Sequence, residues 1–216
     1  MIIIFDLDGT LLNTIDDLGY ACNYALERTG YPTFPIEAYP AKVGNGINNL
    51  IRRALPEAER TEKNILRVRE YFVPYYNEHN CDYTRPYDGI TEALAALKAQ
   101  GHRLAVASNK YQAATEKIVN HFFPGVFDVI LGEREGVERK PNPQIVFDIL
   151  AMLNEKMVND KMIKYIGDSL VDYETAKNAN VSFVACSWGF VAREKLVEAG
   201  IEHIIDKPKE IIKLNI

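Results

Sequence analysis

Asp6 and Asp8, one residue apart and followed by Gly9-Thr10, are the first residues in the chain whose types and spacing suit chemistry. In an extended stretch alternate side chains project to one side, so both carboxylates can face one cleft. Gly9 lets the chain turn away behind them. Two close carboxylates repel and need a cation, a shared proton or both. Three further polar groups follow: Ser108-Asn109-Lys110, Lys140 ahead of Pro141, and Asp168 with Asp172. A cleft that held them all would contain two acidic pairs, a hydroxyl beside backbone amides, and a lysine. That inventory suits phosphoryl transfer, which needs a nucleophile, an acid/base and positive charge against the transferring group. Each residue also has a plainer reading. Asp-x-Asp can be an acidic turn, Ser108-Asn109 a helix N-cap and Lys140 a solvated loop lysine. Asp172 can simply favour a helix N-terminus. Their joint occurrence at successive strand ends is the argument for a site.

The elements that would position them can be read from periodicity. Met1 to Phe5 is wholly apolar, with three consecutive Ile, the composition of a buried parallel strand. From Asn13 to Pro86 the pattern is helical, with no convincing strand. Asp16-Asp17 is expected to cap a helix with Leu18, Cys22, Ala25 and Leu26 as its apolar stripe and Gly30 at its end. Helical pieces continue through Ile47–Leu55. A longer helix runs from about Thr61 to Asn80, its core face carrying Ile65, Val68, Phe72, Tyr75 and Tyr76, with Tyr71 also expected in the core or an interface. From Asp88 strands and helices alternate, with strands expected at Arg103–Ala107, Phe127–Leu131, Ile163–Ile166, Phe183–Cys186 and near Ile204. Alternation of this kind implies an α/β fold, a doubly wound parallel sheet with helices on both faces. Residues 1–14 and 86–216 would form it, and 15–85 a second, smaller all-helical domain. Asp6, Ser108 and Asp168 then all follow strands, at the edge where such sheets hold ligands.

At 216 residues the chain is long enough for one large domain with an insert. A net charge of −5 lacks the basic footprint of a nucleic-acid binder. It does not exclude an anionic substrate, because local charge governs a pocket. Cys22, Cys81 and Cys186 form no CxxC pair, so neither a zinc site nor a disulfide framework is expected. The chain opens directly on its first strand, without a signal peptide, and no apolar run approaches the roughly 20 residues of a membrane span. A cytoplasmic protein without membrane or nucleic-acid partners is expected.

Asp6-Leu7-Asp8-Gly9-Thr10, Ser108-Asn109-Lys110, Lys140-Pro141-Asn142-Pro143 and Gly167-Asp168-Ser169-Leu170-Val171-Asp172 resemble the four motifs of the haloacid dehalogenase superfamily. The helical insert is similar to the C1-type cap of its phosphoglycolate phosphatase-like branch, with agreement at Asp17, Asn23, Ala25-Leu26, Gly30 and Gly44-Asn45-Gly46. Asn13-Thr14 departs from the Asp-Ser usual in that branch. The resemblance implies a Rossmann-like core and a phosphatase in which Asp6 attacks phosphorus and Asp8 serves as acid, then base. It implies Mg²⁺ held by the Asp6 side chain, the Asp8 backbone carbonyl and the Asp168 side chain, with Asp172 acting through water. Ser108, the Asn109 backbone amide and Lys140 would neutralise the phosphoryl oxygens, with Thr10 also at the substrate. The second aspartate, Asp8, favours phosphate esters over halide displacement. In the cap, Lys42, Gly44 and Gly46 mark either the loop that meets a small phosphorylated acid such as 2-phosphoglycolate or a plain helix-helix turn. There Lys42, Arg52 or Arg53 could meet the acid's carboxylate. The expected partner is a small phosphorylated metabolite, and the expected state a monomer or weak homodimer. A β-phosphoglucomutase-like phosphomutase, a pyrophosphatase or nucleotidase, and a non-catalytic phosphate-binding module remain alternatives.

Overall fold

The computed structural model describes residues 1–155 and 162–214. The chain forms two compact units, Met1–Asn13 with Pro86–Ile216, and Thr14–Arg85. The first contains β1 (Ile2–Phe5) and the two-residue β2 (Leu12–Asn13). The chain returns to it through β3 (Arg85–Pro86), and then runs α4 (Ile90–Ala99), β4 (Arg103–Tyr111), α5 (Gln112–Phe122), β5 (Val129–Glu133), α6 (Gln144–Met152), β6 (Ile163–Gly167), α7 (Leu170–Asn178), β7 (Ser182–Cys186), α8 (Arg193–Glu198) and β8 (Ile204–Ile205). The second unit contains α1 (Ile15–Arg28), α2 (Ile47–Ala54) and α3 (Glu62–His79).

Six strands form one sheet in the order β5-β4-β1-β6-β7-β8, each adjacent pair parallel. β1 lies between β4 and β6 because its four residues are apolar on both faces; Ile3, Ile4 and Phe5 are fully buried. On one face Ile2, Ile4, Ala105 and Leu131 pack with Ile145, Val146 and Ile149 of α6 and Ala176 of α7. Register then decides the site. Phe5 pairs with Val106 on one side and with Ile166 on the other. Asp6, Ala107 and Gly167 therefore stand on one row across three adjacent chain segments, and the polar residues that follow share an edge.

Two strands differ from the periodicity reading. β4 continues to Tyr111 rather than ending at Ala107, and its register against β5 breaks between those residues: Ala107 faces Leu131, whereas Tyr111 faces Glu133. Residues 108–110 thus stand opposite the single residue Gly132, two more than a regular ladder would place there. Gly132 makes room for them, since a Cβ there would stand 2.5 Å from the Lys110 carbonyl oxygen. β5 begins at Val129, two residues later than expected. Phe127 is apolar for packing, its ring edge-on to Phe5 and to Phe123, rather than for a place in the ladder.

In the helical unit the apolar stripe of α1 (Leu18, Ala21, Cys22, Ala25, Leu26) is buried together with Ile51 of α2 and Val68, Phe72 and Tyr76 of α3. Asp16-Asp17 does not cap α1: Thr14 holds the N-cap position. The Asp17 carboxylate instead accepts from the backbone N–H of Tyr83 (2.9 Å) and Thr84 (2.8 Å) and from the Thr84 hydroxyl (2.7 Å), joining the two ends of the unit. Tyr75 stacks on Tyr24 with ring centroids 4.2 Å apart, while Tyr71 is exposed. Among the described residues no helix is long and apolar enough to cross a membrane.

Candidate active site

Lys140 is the centre of the polar cluster at the strand ends. Its buried ammonium donates to Asp6 Oδ1 (2.9 Å), Asp172 Oδ1 (2.7 Å) and the Ala107 carbonyl (2.9 Å), and lies 3.1 Å from the Tyr165 hydroxyl. The plain reading of a solvated loop lysine is excluded, since its side chain is 3% exposed. Asn109 holds the Lys140 backbone from across the cleft. Its side-chain amide donates to the Lys140 carbonyl (3.1 Å) and its oxygen accepts from the Lys140 N–H (3.0 Å). This reciprocal pair lies within the stretch where the β4–β5 register breaks. Asn109 spends its side chain on Lys140, so any contact with substrate comes from its backbone.

Asp8 faces a second buried lysine. Lys110 Nζ is 3.0 Å from Asp8 Oδ1, an ion pair that motif reading missed although Lys110 was in view. Ser108 is buried beside them, its hydroxyl oxygen accepting from the Lys110 N–H at 3.1 Å; its own proton is left to donate. The buried Thr10 hydroxyl donates to Asp168 Oδ1 (3.3 Å). Asp172 serves the helix N-terminus and also holds Lys140. As the third residue of α7 it forms a capping box with Ser169, accepting on Oδ2 from the Ser169 hydroxyl (2.6 Å), while its Oδ1 receives Lys140. Gly167 permits this close approach, because a Cβ there would stand 2.5 Å from Asp172. Tyr165 is a further residue unread in the sequence. Its only signal was a hydroxyl-bearing residue inside a strand, β6, that also carries Lys164.

Lys42, Gly44 and Gly46 belong to the helical unit. Lys42 lies over the Phe34 ring, 4.1 Å from its centroid. Arg53 was a candidate for gripping a carboxylate; its Nη1 instead donates to the carbonyls of Lys42 (2.9 Å), Val43 (2.9 Å) and Gly44 (3.1 Å). Gly44, Asn45 and Gly46 all have positive φ, a run that glycine makes possible at its two ends.

Among the described residues, ligand oxygens of Asp6, Asp168 and Asp172 lie within 4.8 Å of one another. Asp6, Asp8, Asp168 and Asp172 oppose only Lys110 and Lys140 here, leaving two negative charges, the complement of one divalent cation. The oxygen-only donor set suits Mg²⁺. Among the described residues Asp168 accepts from the neutral donors Thr10 and Phe190, and Asp6 meets Lys140 through Oδ1, whereas Asp172 is held by the Lys140 ammonium and Ser169 together, so Asp6 and Asp168 are the side chains that better fit an ion directly.

Without a cation the crowding shows in the acidities. Burial, then Asp172, pushes Asp6 well above the ordinary carboxylate range, with Lys140 opposing. Burial, then Asp172, raises Asp168 to about 7. For Lys140 burial favours loss of the proton, but Asp172 and Asp6 outweigh it and raise the ammonium. A carboxyl whose folded pKa exceeds its unfolded value of about 3.9 stabilises the fold fully below the unfolded pKa, and that stability is lost as pH rises through the folded one. Asp168 therefore lowers metal-free stability across about pH 4 to 7, and Asp6 acts in the same direction. Melting in EDTA should occur at lower temperature at pH 8 than at pH 6, with Mg²⁺ restoring more at pH 8. A metal-free melting temperature that rose over this interval would refute the expectation.

The model of the haloacid dehalogenase-like hydrolases matches residues 3–186. The chain belongs to that family. The hydrolase is 31% identical to the phosphoglycolate phosphatase of Aquifex aeolicus, over 99% of this chain and 95% of that one. Among solved structures it is similar to a Lactobacillus delbrueckii subsp. bulgaricus protein provisionally assigned as a phosphoglycolate phosphatase (35% identity, TM-score 0.91, covering 98% of this chain and 96% of that). It is also similar to CbbY from Rhodobacter sphaeroides in complex with phosphate (26% identity, TM-score 0.73, covering 97% and 95%). The matched span contains all four carboxylates of the hydrolase's polar cluster and both lysines.

Proposed function

We propose that this hydrolase is a Mg²⁺-dependent phosphatase of small phosphorylated acids, with phosphoglycolate as its substrate and Asp6 as its nucleophile. The carrying observation is the contact of Asp6 with the Lys140 ammonium at 2.9 Å, beside an independent carboxylate, Asp8, paired to its own lysine. The two carboxylates of the Asp-x-Asp pair thus face different lysines, Asp6 the buried Lys140 and Asp8 Lys110. Asp6 Oδ attacks phosphorus, the ester P–O bond breaks, and the departing alkoxide takes a proton from Asp8. Water then attacks the phosphoryl group on Asp6, giving its proton to Asp8, and the P–O bond to Asp6 breaks. Lys140 and the Ser108 hydroxyl hold negative charge on the phosphoryl oxygens. Mg²⁺ on Asp6 and Asp168 would supply further charge neutralisation and orientation. Asp172, bonded to Ser169 and Lys140, holds the lysine in place.

The acid preference is supported by the Aquifex aeolicus relative. We take residues 14–85 as the cap that selects the leaving group, its 42–46 loop kept in shape by Arg53. A panel of phosphate esters with Mg²⁺, ranked by kcat/KM, tests the reading. Phosphoglycolate should exceed uncharged alkyl phosphates by at least about tenfold, the scale of one charge-assisted contact. Equal rates across the panel would remove the acid specificity. No hydrolysis of any ester would remove the phosphatase.

A further inference from the structure

The Trp188-Gly189-Phe190 turn after β7 contributes no side chain to the chemistry above, yet it contacts both walls of the carboxylate site. The Phe190 N–H donates to Asp168 Oδ2 at 2.7 Å. The Trp188 indole N–H donates to the Thr10 carbonyl at 3.0 Å, and the Thr10 hydroxyl returns to the other Asp168 oxygen. Between these two anchors Gly189 has no room for a side chain. A Cβ there would stand 2.3 Å from Asp168 Cβ, 2.4 Å from Asp168 Oδ2 and 2.4 Å from the Gly9 carbonyl oxygen. Neither Asp168 Cβ nor the Gly9 carbonyl is the far end of a flexible chain, so a methyl group must displace the Asp168 carboxylate or the Gly9-Thr10 loop.

We propose that this turn is the positioning device for the metal-binding carboxylate. By fixing Asp168 against Gly9-Thr10, residues 188–190 set divalent-cation affinity without touching the ion. The inference rests on the reading of Asp6 and Asp168 as the cation site. Its physical basis is general: groups that orient a ligating carboxylate keep its oxygens at coordination geometry, and losing one weakens metal affinity about 10–100-fold. The Phe190 N–H is a backbone donor, so its action depends on the path of the turn, which Gly189 and the Trp188 anchor decide. Two substitutions separate these causes. Gly189→Ala adds the clash and leaves both hydrogen-bonding groups. Trp188→Phe keeps an aromatic ring and removes the anchoring N–H together with part of the ring's volume.

The test is calorimetric titration of MgCl₂ into metal-free protein, wild type and both variants, with thermal melts in EDTA alongside. Gly189→Ala should raise the Mg²⁺ dissociation constant about 10–100-fold and Trp188→Phe up to about 10-fold. In turnover the Mg²⁺ concentration for half-maximal rate should rise, while kcat at saturating Mg²⁺ stays within about threefold. Should Gly189→Ala not fold, Trp188→Phe carries the test. Wild-type dissociation constants in the folded variants, whatever their melting temperatures, would overturn the proposal and leave the cation site standing. A wild-type protein that bound no Mg²⁺ would overturn both.

Discussion

Asp6→Asn lowers Mg²⁺-dependent phosphatase kcat by about 10⁴-fold or more, the scale seen when a covalent nucleophile is removed. The substitution preserves shape and takes away only the nucleophilic oxygen's charge. Because burial and Asp172 already make ionised Asp6 costly, the neutral amide should not destabilise the metal-free protein. Its melting temperature in EDTA should equal or exceed that of the wild type at pH 8. The two readouts therefore move apart, which distinguishes loss of a nucleophile from loss of the fold. Steady-state kinetics with phosphoglycolate and thermal melts check both. Residual activity within tenfold of wild type would show that phosphorus is attacked by another group.

Lys140→Met should damage stability and catalysis together. The ammonium is buried between Asp6 and Asp172, and removing one partner of a buried ion cluster leaves charge without compensation, at a cost of about 3–5 kcal/mol. Lys140 is also the group that opposes the upward shift of the Asp6 pKa. Without it Asp6 keeps its proton to higher pH and loses nucleophilicity, in addition to the lost stabilisation of phosphoryl oxygens. A fall in kcat of about 10²–10³-fold is expected. Adding Asp172→Asn removes the second orphaned charge and should recover part of the stability, but none of the rate. Urea unfolding and steady-state kinetics on the single and double variants test this. A double variant no more stable than Lys140→Met would mean that Asp172 was not the charge left exposed.

The groups of the active site were legible because they occur in short local runs. Asp-x-Asp after an apolar pentapeptide, a Ser-Asn-Lys after another strand and a Gly-Asp after a third each carry their position with them. Strand ends are marked by a change from apolar to polar, and parallel sheets gather such ends on one edge. Lys140 and Lys110 show where that legibility stops. Both residues were in view, but nothing local distinguishes a solvated lysine from one bound to carboxylates over a hundred residues away. Only β1 lying between β4 and β6 brings Asp6 to Lys140, and only the register break at 108–110 carries Lys110 to Asp8.

Asp17 and Phe127 are instances of the same limit. Each has a residue type with a good local explanation, a cap or a strand residue, and tertiary contacts assign it another. By itself the sequence determined the α/β alternation, the helical insert and the acidic, lysine-bearing inventory, because these follow from periodicity and residue type along the chain. The partners of each charge, the oxygens left to a cation and the closeness of the 188–190 turn to Asp168 were decided by the tertiary structure alone. They depend on atoms brought within 3 Å across sheet neighbours, and no spacing along the chain encodes that distance.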